Sequence, residues 1–303
     1  MDAFPRVSRT RWLLAYAAVC LFWGGTYLGI KFAIESIPPL LMASLRYLVA
    51  GTLVLAWSRA RSGERVTVRH WGGAAVVGGL MLFGGNGGVC WAEQRVPSGT
   101  ASLVIALSPL FMVLIEALRP GGQRPGPRVF AGIGLGLAGL ALLVGPEQLV
   151  GAGRIDPLGA LVLVVATLSW AAGSIHSRHA ALPSSPLLAT ALQMLAGGTI
   201  LLVAGLASGE GARFHLEAVT LRSWLAMGYL VLCGSIVALT AYVWLLRVSP
   251  PAKVASYTYV NPIVAVLLGW GLGGEALTPR TVLACLVIVA AVVLLTGARA
   301  PRR

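Results

Sequence analysis

The 303-residue chain is 57% hydrophobic and only 11% charged, with a mean hydropathy of +0.83, whereas soluble domains carry about 25% charged residues. It reads as an all-α integral membrane protein. The formal net charge of +13 would suit nucleic acid only on the basic face of a polar module; the chain carries no such module, so the charge belongs to loops and no nucleic-acid partner is expected.

Cysteine and histidine usage narrows the chemistry further. Cys20, Cys90, Cys233 and Cys285 all lie in apolar runs, where a free thiol behaves as a small hydrophobe. His70, His176, His179 and His215 lack a neighbouring cluster of carboxylates or thiolates. Neither a disulfide framework nor a metal site nor a cofactor is expected.

A membrane-crossing helix needs about 20 apolar residues. Between charged or Pro/Gly breaks the chain offers ten such spans, over 12–33, 38–58, 71–92, 98–118, 128–145, 157–177, 186–207, 223–246, 251–272 and 280–297. The first lacks a small-residue cleavage site and is expected to be a retained helix. It carries Trp23, Thr26 and Tyr27 at membrane depth. The second begins at Pro38-Pro39 and holds Arg46, a charge that should snorkel, pair or mark a pathway.

Span three contains Asn86 inside Phe83-Gly-Gly-Asn86-Gly-Gly. Four glycines around one amide strip the helix of side chains, open space beside it and loosen the backbone. Glu93 follows at its end, a candidate partner for Arg46, a protonatable gate or an interfacial cap. Span four meets a Ser-Pro step at Ser108-Pro109 and ends near Glu116. Span five holds Gly134-Leu-Gly136-Leu-Ala-Gly139, which matches the dinucleotide fingerprint in letters only, because that motif requires a strand before it. Spacing of Gly132 and Gly136 by four points instead to helix packing.

The second half repeats these signals. Span six has Trp170, Ser174 and His176, and span eight has Tyr229 and Tyr242. Span nine runs from a double proline through Tyr257, Tyr259 and Asn261-Pro262. Pro262 removes an N–H and disfavours helix at Asn261, a cost tolerated in a bilayer where side chains or a wet cavity receive the freed groups. Pro109 and Pro262 are therefore expected to be helix breaks or gates.

Pro262 lies 153 residues after Pro109, Trp170 lies 147 after Trp23, and Pro279 lies 152 after Pro127. The chain is a duplicated unit, with one five-helix repeat over 12–145 and another over 157–297. Five is odd, so the second repeat enters the membrane from the opposite face, the inverted arrangement of many secondary transporters. Lys and Arg set the orientation. With the N-terminus inside, only Lys31, Arg95, Arg154, Arg213, Arg222 and Arg280 face outward, Arg46 lies within a span, and the remaining 16 of 23 basic residues face the cytoplasm. Both termini are expected to be cytoplasmic.

No Walker lysine, nucleophile elbow or carboxylate pair is present, which argues against an ATPase-driven pump and against an enzyme. The intramembrane polar and aromatic residues Trp23, Thr26, Tyr27, Asn86, Trp170, Tyr257 and Asn261 form the candidate substrate cavity. Helix packing is the alternative for each of them.

Several motifs together resemble a known family. These are Trp23-Gly-Gly-Thr26-Tyr27, Leu45-Arg46-Tyr47, Gly85-Asn86-Gly87, Ala92-Glu93-Gln94, Ser108-Pro109-Leu110, Ser169-Trp170-Ala171 and Tyr257-Thr-Tyr259-Val-Asn261-Pro262. They resemble the drug/metabolite transporter superfamily, in particular the ten-helix permeases with two EamA domains and, among those, the YedA-like inner-membrane exporters. The resemblance implies a bacterial inner-membrane protein with its substrate cavity lined from both repeats. It also implies efflux of amino acids, small metabolites or drug-like compounds by a carrier mechanism. The expected partners are a small-molecule substrate and the lipid bilayer, with protons as the candidate coupling ion. A monomer is expected, with a homodimer as the alternative. The competing functional reading is a non-transporting membrane scaffold or lipid-handling protein.

Overall fold

The structure, a computed structural model, describes residues 5, 7–61, 63–96, 101, 104–119, 125–144, 156–273 and 278–297. All regular structure among them is helical. The main helices are α1 (Arg9–Ala33), α2 (Pro39–Arg61), α3 (Val68–Ala92), α4 (Ser108–Leu118), α5 (Pro127–Val144), α6 (Pro157–Ser177), α7 (Pro186–Ala207), α8 (Leu221–Val248), α9 (Tyr257–Gly273) and α10 (Pro279–Gly297). Seven are long and apolar enough to cross a membrane, namely α1, α2, α3, α5, α6, α7 and α8, although α2 qualifies over Pro39–Ala60.

The expected fourth and ninth spans are subdivided, and the interruptions do not fall on the two prolines. Helix α4 starts at Ser108 after a turn at residues 106 and 107, so Pro109 occupies a first-turn position, where a missing N–H costs nothing. A one-turn helix, Pro251–Ala255, leads through Ser256 into α9, and α9 continues past Pro262.

Sequence chemistry sets the helix starts. Asp156 caps α6 by accepting from Leu158 and Gly159 amides, and it pairs with Arg95 at 3.1 Å. The Arg95 guanidinium, helped by these amides, holds the Asp156 carboxyl below its ordinary pKa. Thr67, Ser185 and Thr220 cap α3, α7 and α8 in the same way, satisfying amide donors that have no partner within the helix.

The central layer is α2 packed antiparallel on α7. Ser44 Oγ donates to Gly198 O at 2.9 Å, and Gly51 lies against Met194 and Leu195 while Gly205 lies against Leu40 and Leu41. Two carboxylates close this pair at opposite ends. Glu210, just after α7, accepts from the Leu40 and Leu41 amides at the start of α2, at 3.3 and 2.9 Å. Glu64, just after α2, accepts from the Ser184 and Ser185 amides at the start of α7, at 2.7 and 3.1 Å. Each half of the chain thus caps a helix of the other.

Around this pair, α1 packs on α8 and α9, while α6 packs on α3 and α4. Helices α5 and α10 form a separate pair, in which Gly132 lies beneath Leu295 and Gly139 beneath Ile288. Gly136 receives the Tyr259 ring, whereas Gly134 faces open space. The glycine run in α5 is therefore a packing surface, in line with its spacing.

Sequence periodicity gave no sign of two π-helical segments. Gly79–Gly87 in α3 and Leu230–Leu239 in α8 are each wound as π-helix, and such segments occur frequently at functional sites. The glycines around Asn86 take up neighbouring side chains: Gly84 and Gly85 receive Ser169 and Trp170, and Gly87 and Gly88 receive Leu201 and Ala166. They permit close approach of α6 and α7 to the π segment.

Glu210 is buried and serves two amides, so Glu210→Ala should cost about 1–3 kcal/mol and lower the melting temperature of the detergent-purified protein. The half-buried counterpart Glu64→Ala should lower it less. Equal or absent shifts in a thermal-unfolding series would show that the reciprocal caps contribute nothing to stability.

Candidate functional site

Between the two halves lies a cavity of about 670 Å³, counting its open mouth. Its wall takes Trp23, Thr26 and Ile30 from α1, Arg46 and Tyr47 from α2, Gly85 and Asn86 from the π segment of α3, and Ser108 from α4. From the second half come Thr167 and Trp170 of α6, Gly234 of the other π segment, and Tyr257 and Asn261 of α9. Of the residues expected at a substrate cavity, Trp23, Thr26, Asn86, Trp170, Tyr257 and Asn261 meet on this wall. The Tyr27 side chain lies outside the described residues.

Three of the wall rings, Trp23, Trp170 and Tyr257, cluster with Tyr242, which is off the wall. Trp23 stands 4.8 Å from Tyr257 and 5.1 Å from Tyr242, and Trp170 stands 5.5 Å from both Trp23 and Tyr242, in edge-to-face or tilted arrangements that favour the ring quadrupoles. Three of the four have their polar atoms bonded. Trp23 Nε1 donates to Gly234 O at 2.9 Å, Trp170 Nε1 donates to Tyr242 Oη at 3.1 Å, and Tyr242 Oη shares a 2.8 Å hydrogen bond with Ser174 Oγ. The cluster is thus a rigid, largely apolar wall.

Asn261 is buried. With its amide assigned the orientation that meets two carbonyl acceptors, its nitrogen donates to Cys20 O at 3.2 Å and Tyr257 O at 3.1 Å, so it ties α9 to α1 and receives a backbone group one turn before itself. Asn86 is half-buried and accepts a weak bond from Cys90 Sγ at 3.7 Å. Thr26 Oγ1 turns back to Trp23 O at 2.8 Å. Pro109 and Pro262 each directly follow a wall residue, Ser108 and Asn261 respectively.

The charged candidates separate. Arg46 is buried on the cavity wall, and its Nε donates to Ser235 Oγ at 2.7 Å. Glu93 sits at the C-terminal cap of α3 and makes no ion pair with Arg46; its Oε1 is buried without a hydrogen-bond partner. Glu116 pairs with Arg178 at 3.6 Å and Arg119 at 3.7 Å. Tyr229 donates to Phe22 O, Tyr259 packs beneath α5 and His176 is exposed; none of the three is on the cavity wall.

Ser235 is the participant that the sequence reading passed over. It donates to Leu230 O at 3.0 Å within the π turn while accepting from Arg46. The signal was present: Ser235 follows Asn86 by 149 residues, within the spacing of the other repeated features. An isolated serine in an apolar span attracts no notice unless that spacing is applied to it.

Comparison with known proteins adds a family to this geometry. The EamA-like transporter family model matches residues 10–145 and again 157–297. The chain is 43% identical over 284 residues to the uncharacterized inner membrane transporter YedA of Escherichia coli K12, covering 93% of this chain and 89% of that one. It is 25% identical over 297 residues to a probable amino-acid metabolite efflux pump of the same organism, covering 96% and 94%. A solved crystal structure superposes with a TM-score of 0.77 at 25% identity, covering 96% of this chain and 98% of that one. The chain therefore belongs to the EamA-like transporter family.

Proposed function

We propose that this protein is a secondary transporter with ten transmembrane helices in two inverted five-helix repeats, 12–145 and 157–297, exporting amino acids, small metabolites or drug-like compounds by alternating access. The observation that carries the reading is the cavity whose wall is drawn from both halves of the chain. A carrier that exposes one site alternately to two faces needs such a site at the junction of two units that can rock against each other. The reciprocal Glu64 and Glu210 caps and the π segments at corresponding places in α3 and α8 support the inverted pairing. Naming of the relatives as transporters and as an efflux pump supports the direction and the broad substrate range.

The inner membrane is the proposed location, by similarity to the relative named for it, with both termini in the cytoplasm. In this orientation the loop after α2 is cytoplasmic and the loop after α7 is external. In a cysteine-depleted background, Gly63→Cys should react with an impermeant thiol reagent only after the cells are opened, and Ala212→Cys should react in intact spheroplasts. Both positions are open to solvent, since nothing lies near a Cβ built at Gly63 and Ala212 is exposed. The opposite labelling pattern would reverse the proposed topology.

Asn261 and Pro262 give the functional test. Asn261→Leu removes the amide that reaches the Cys20 and Tyr257 carbonyls and puts an apolar side chain on the cavity wall, so initial export per folded molecule should fall by about tenfold or more. Pro262→Ala should leave abundant, inserted protein and lower flux less. Val264→Ala serves as the packing control. Sealed vesicles with a broad panel of labelled amino acids and drugs provide the assay. A folded preparation that moves none of the panel faster than empty vesicles would favour the scaffold or lipid-handling reading.

A further inference from the structure

Arg46 carries a charge that the protein leaves unanswered. It is 2% exposed and sits seven residues into α2, about 10 Å along the helix from Pro39. Its Nη1 is buried and has no hydrogen-bond partner. The four ion pairs among the described residues are Arg95–Asp156, Arg119–Glu116, Arg178–Glu116 and Arg222–Glu35, and none includes Arg46. The ring of the adjoining Tyr47, with its centroid 4.9 Å from the guanidinium carbon, is a partial substitute for a counter-charge. The cost of burying this charge uncompensated persists until an anion arrives.

The surroundings hold the head group in place without neutralising it. Ser235 Oγ accepts from Nε and commits its own proton to Leu230 O. A Cβ at Gly234 would stand 2.8 Å from Nη2, so glycine at this position leaves room for the guanidinium. The other half of the chain does not duplicate the charge, because the residue 147 positions later is the neutral Gln193. Among the described residues the cavity wall thus carries one fixed positive charge beside an aromatic wall of Trp23, Trp170 and Tyr257.

We propose that Arg46 is the anchor for a substrate carboxylate, and that the cavity takes carboxylate-bearing small molecules with an apolar or aromatic remainder and rejects cationic drugs. Guanidinium and carboxylate are matched for paired hydrogen bonds, and Nη1 supplies a donor that the protein itself does not use. The apolar remainder lies against Trp23 and Trp170, whose indole nitrogens are already bonded, so it loses water without displacing a hydrogen bond. A cationic solute meets like charge in a low-dielectric site, where the repulsion is strong. This inference rests on the cavity being the transport site, and it narrows the substrate class from the range proposed above.

The test reads binding and not flux, so its failure is separable from failure of the transport reading. Detergent-purified full-length protein is titrated with phenylacetate, 2-phenylethanol and 2-phenylethylammonium in carboxylate-free buffer, following tryptophan fluorescence. Phenylacetate should bind at least tenfold more tightly than the alcohol, and the amine should bind no better than the alcohol. Arg46→Met should fold at least as stably as wild type, since it removes a buried unpaired charge, while losing the preference for the acid. Arg46→Lys should keep a reduced preference, having the charge without the fork. Equal binding of the three probes, no binding of phenylacetate, or an acid preference that survives in folded Arg46→Met would each overturn the proposal. Vesicle flux of neutral or cationic solutes alongside any of these results would leave the transport reading standing by itself.

Discussion

In hydrocarbon a backbone or side-chain polar group has no water to turn to, and each one that leaves regular helix must find a partner within the protein. This constraint governs the centre of the molecule. The π segment of α8 presents Gly234 O and Leu230 O to side chains, and Trp23 and Ser235 take them. The carbonyls of Cys20 and Tyr257 are served by Asn261. The Trp23 and Asn261 bonds connect α1 to α8 and α9, so polar side chains become links between the halves.

The same constraint makes the cavity selective in what it leaves free. Around the aromatic wall the two indoles and the Tyr242 phenol are bonded to one another, to Ser174 or to backbone, and Thr26 and Thr167 return their hydroxyls to carbonyls of their own helices. Among the groups left for a ligand are the half-buried Asn86 amide and the guanidinium of Arg46. A site with so few unmet polar groups discriminates by charge and shape more than by a dense hydrogen-bond pattern.

Stability is built into a different part of the molecule. The antiparallel α2–α7 layer is held by close helix approach at Gly51, Gly198 and Gly205, and by the two exchanged carboxylate caps at its ends. In membranes small residues allow backbone approach and the dispersion contacts that replace a hydrophobic driving force. The α5–α10 pair repeats the device with Gly132 and Gly139. Only Arg46 and Tyr47 of the central layer reach the cavity wall, which leaves α1, α3, α4, α6, α8 and α9 to shape the remainder of the site.

By itself the sequence determined the helical membrane class, because composition and span length report directly on the solvent the chain must occupy. It also marked most of the cavity, since polar and aromatic residues at membrane depth are few, and Trp23, Asn86, Trp170, Tyr257 and Asn261 stand out against apolar neighbours. Tertiary structure decided which of these converge and which of the remaining candidates do not: Tyr229, Tyr259 and His176 share the same composition signal yet point elsewhere. It also decided the helix interruptions, which fall at residues 106–107 and at Ser256 instead of at Pro109 and Pro262, because a proline near a helix start needs no break and side-chain donors receive nearby carbonyls. The π segments, Ser235 and the lack of an acidic partner for Arg46 were decided there as well, because winding and pairing depend on groups more than a hundred residues away in the chain.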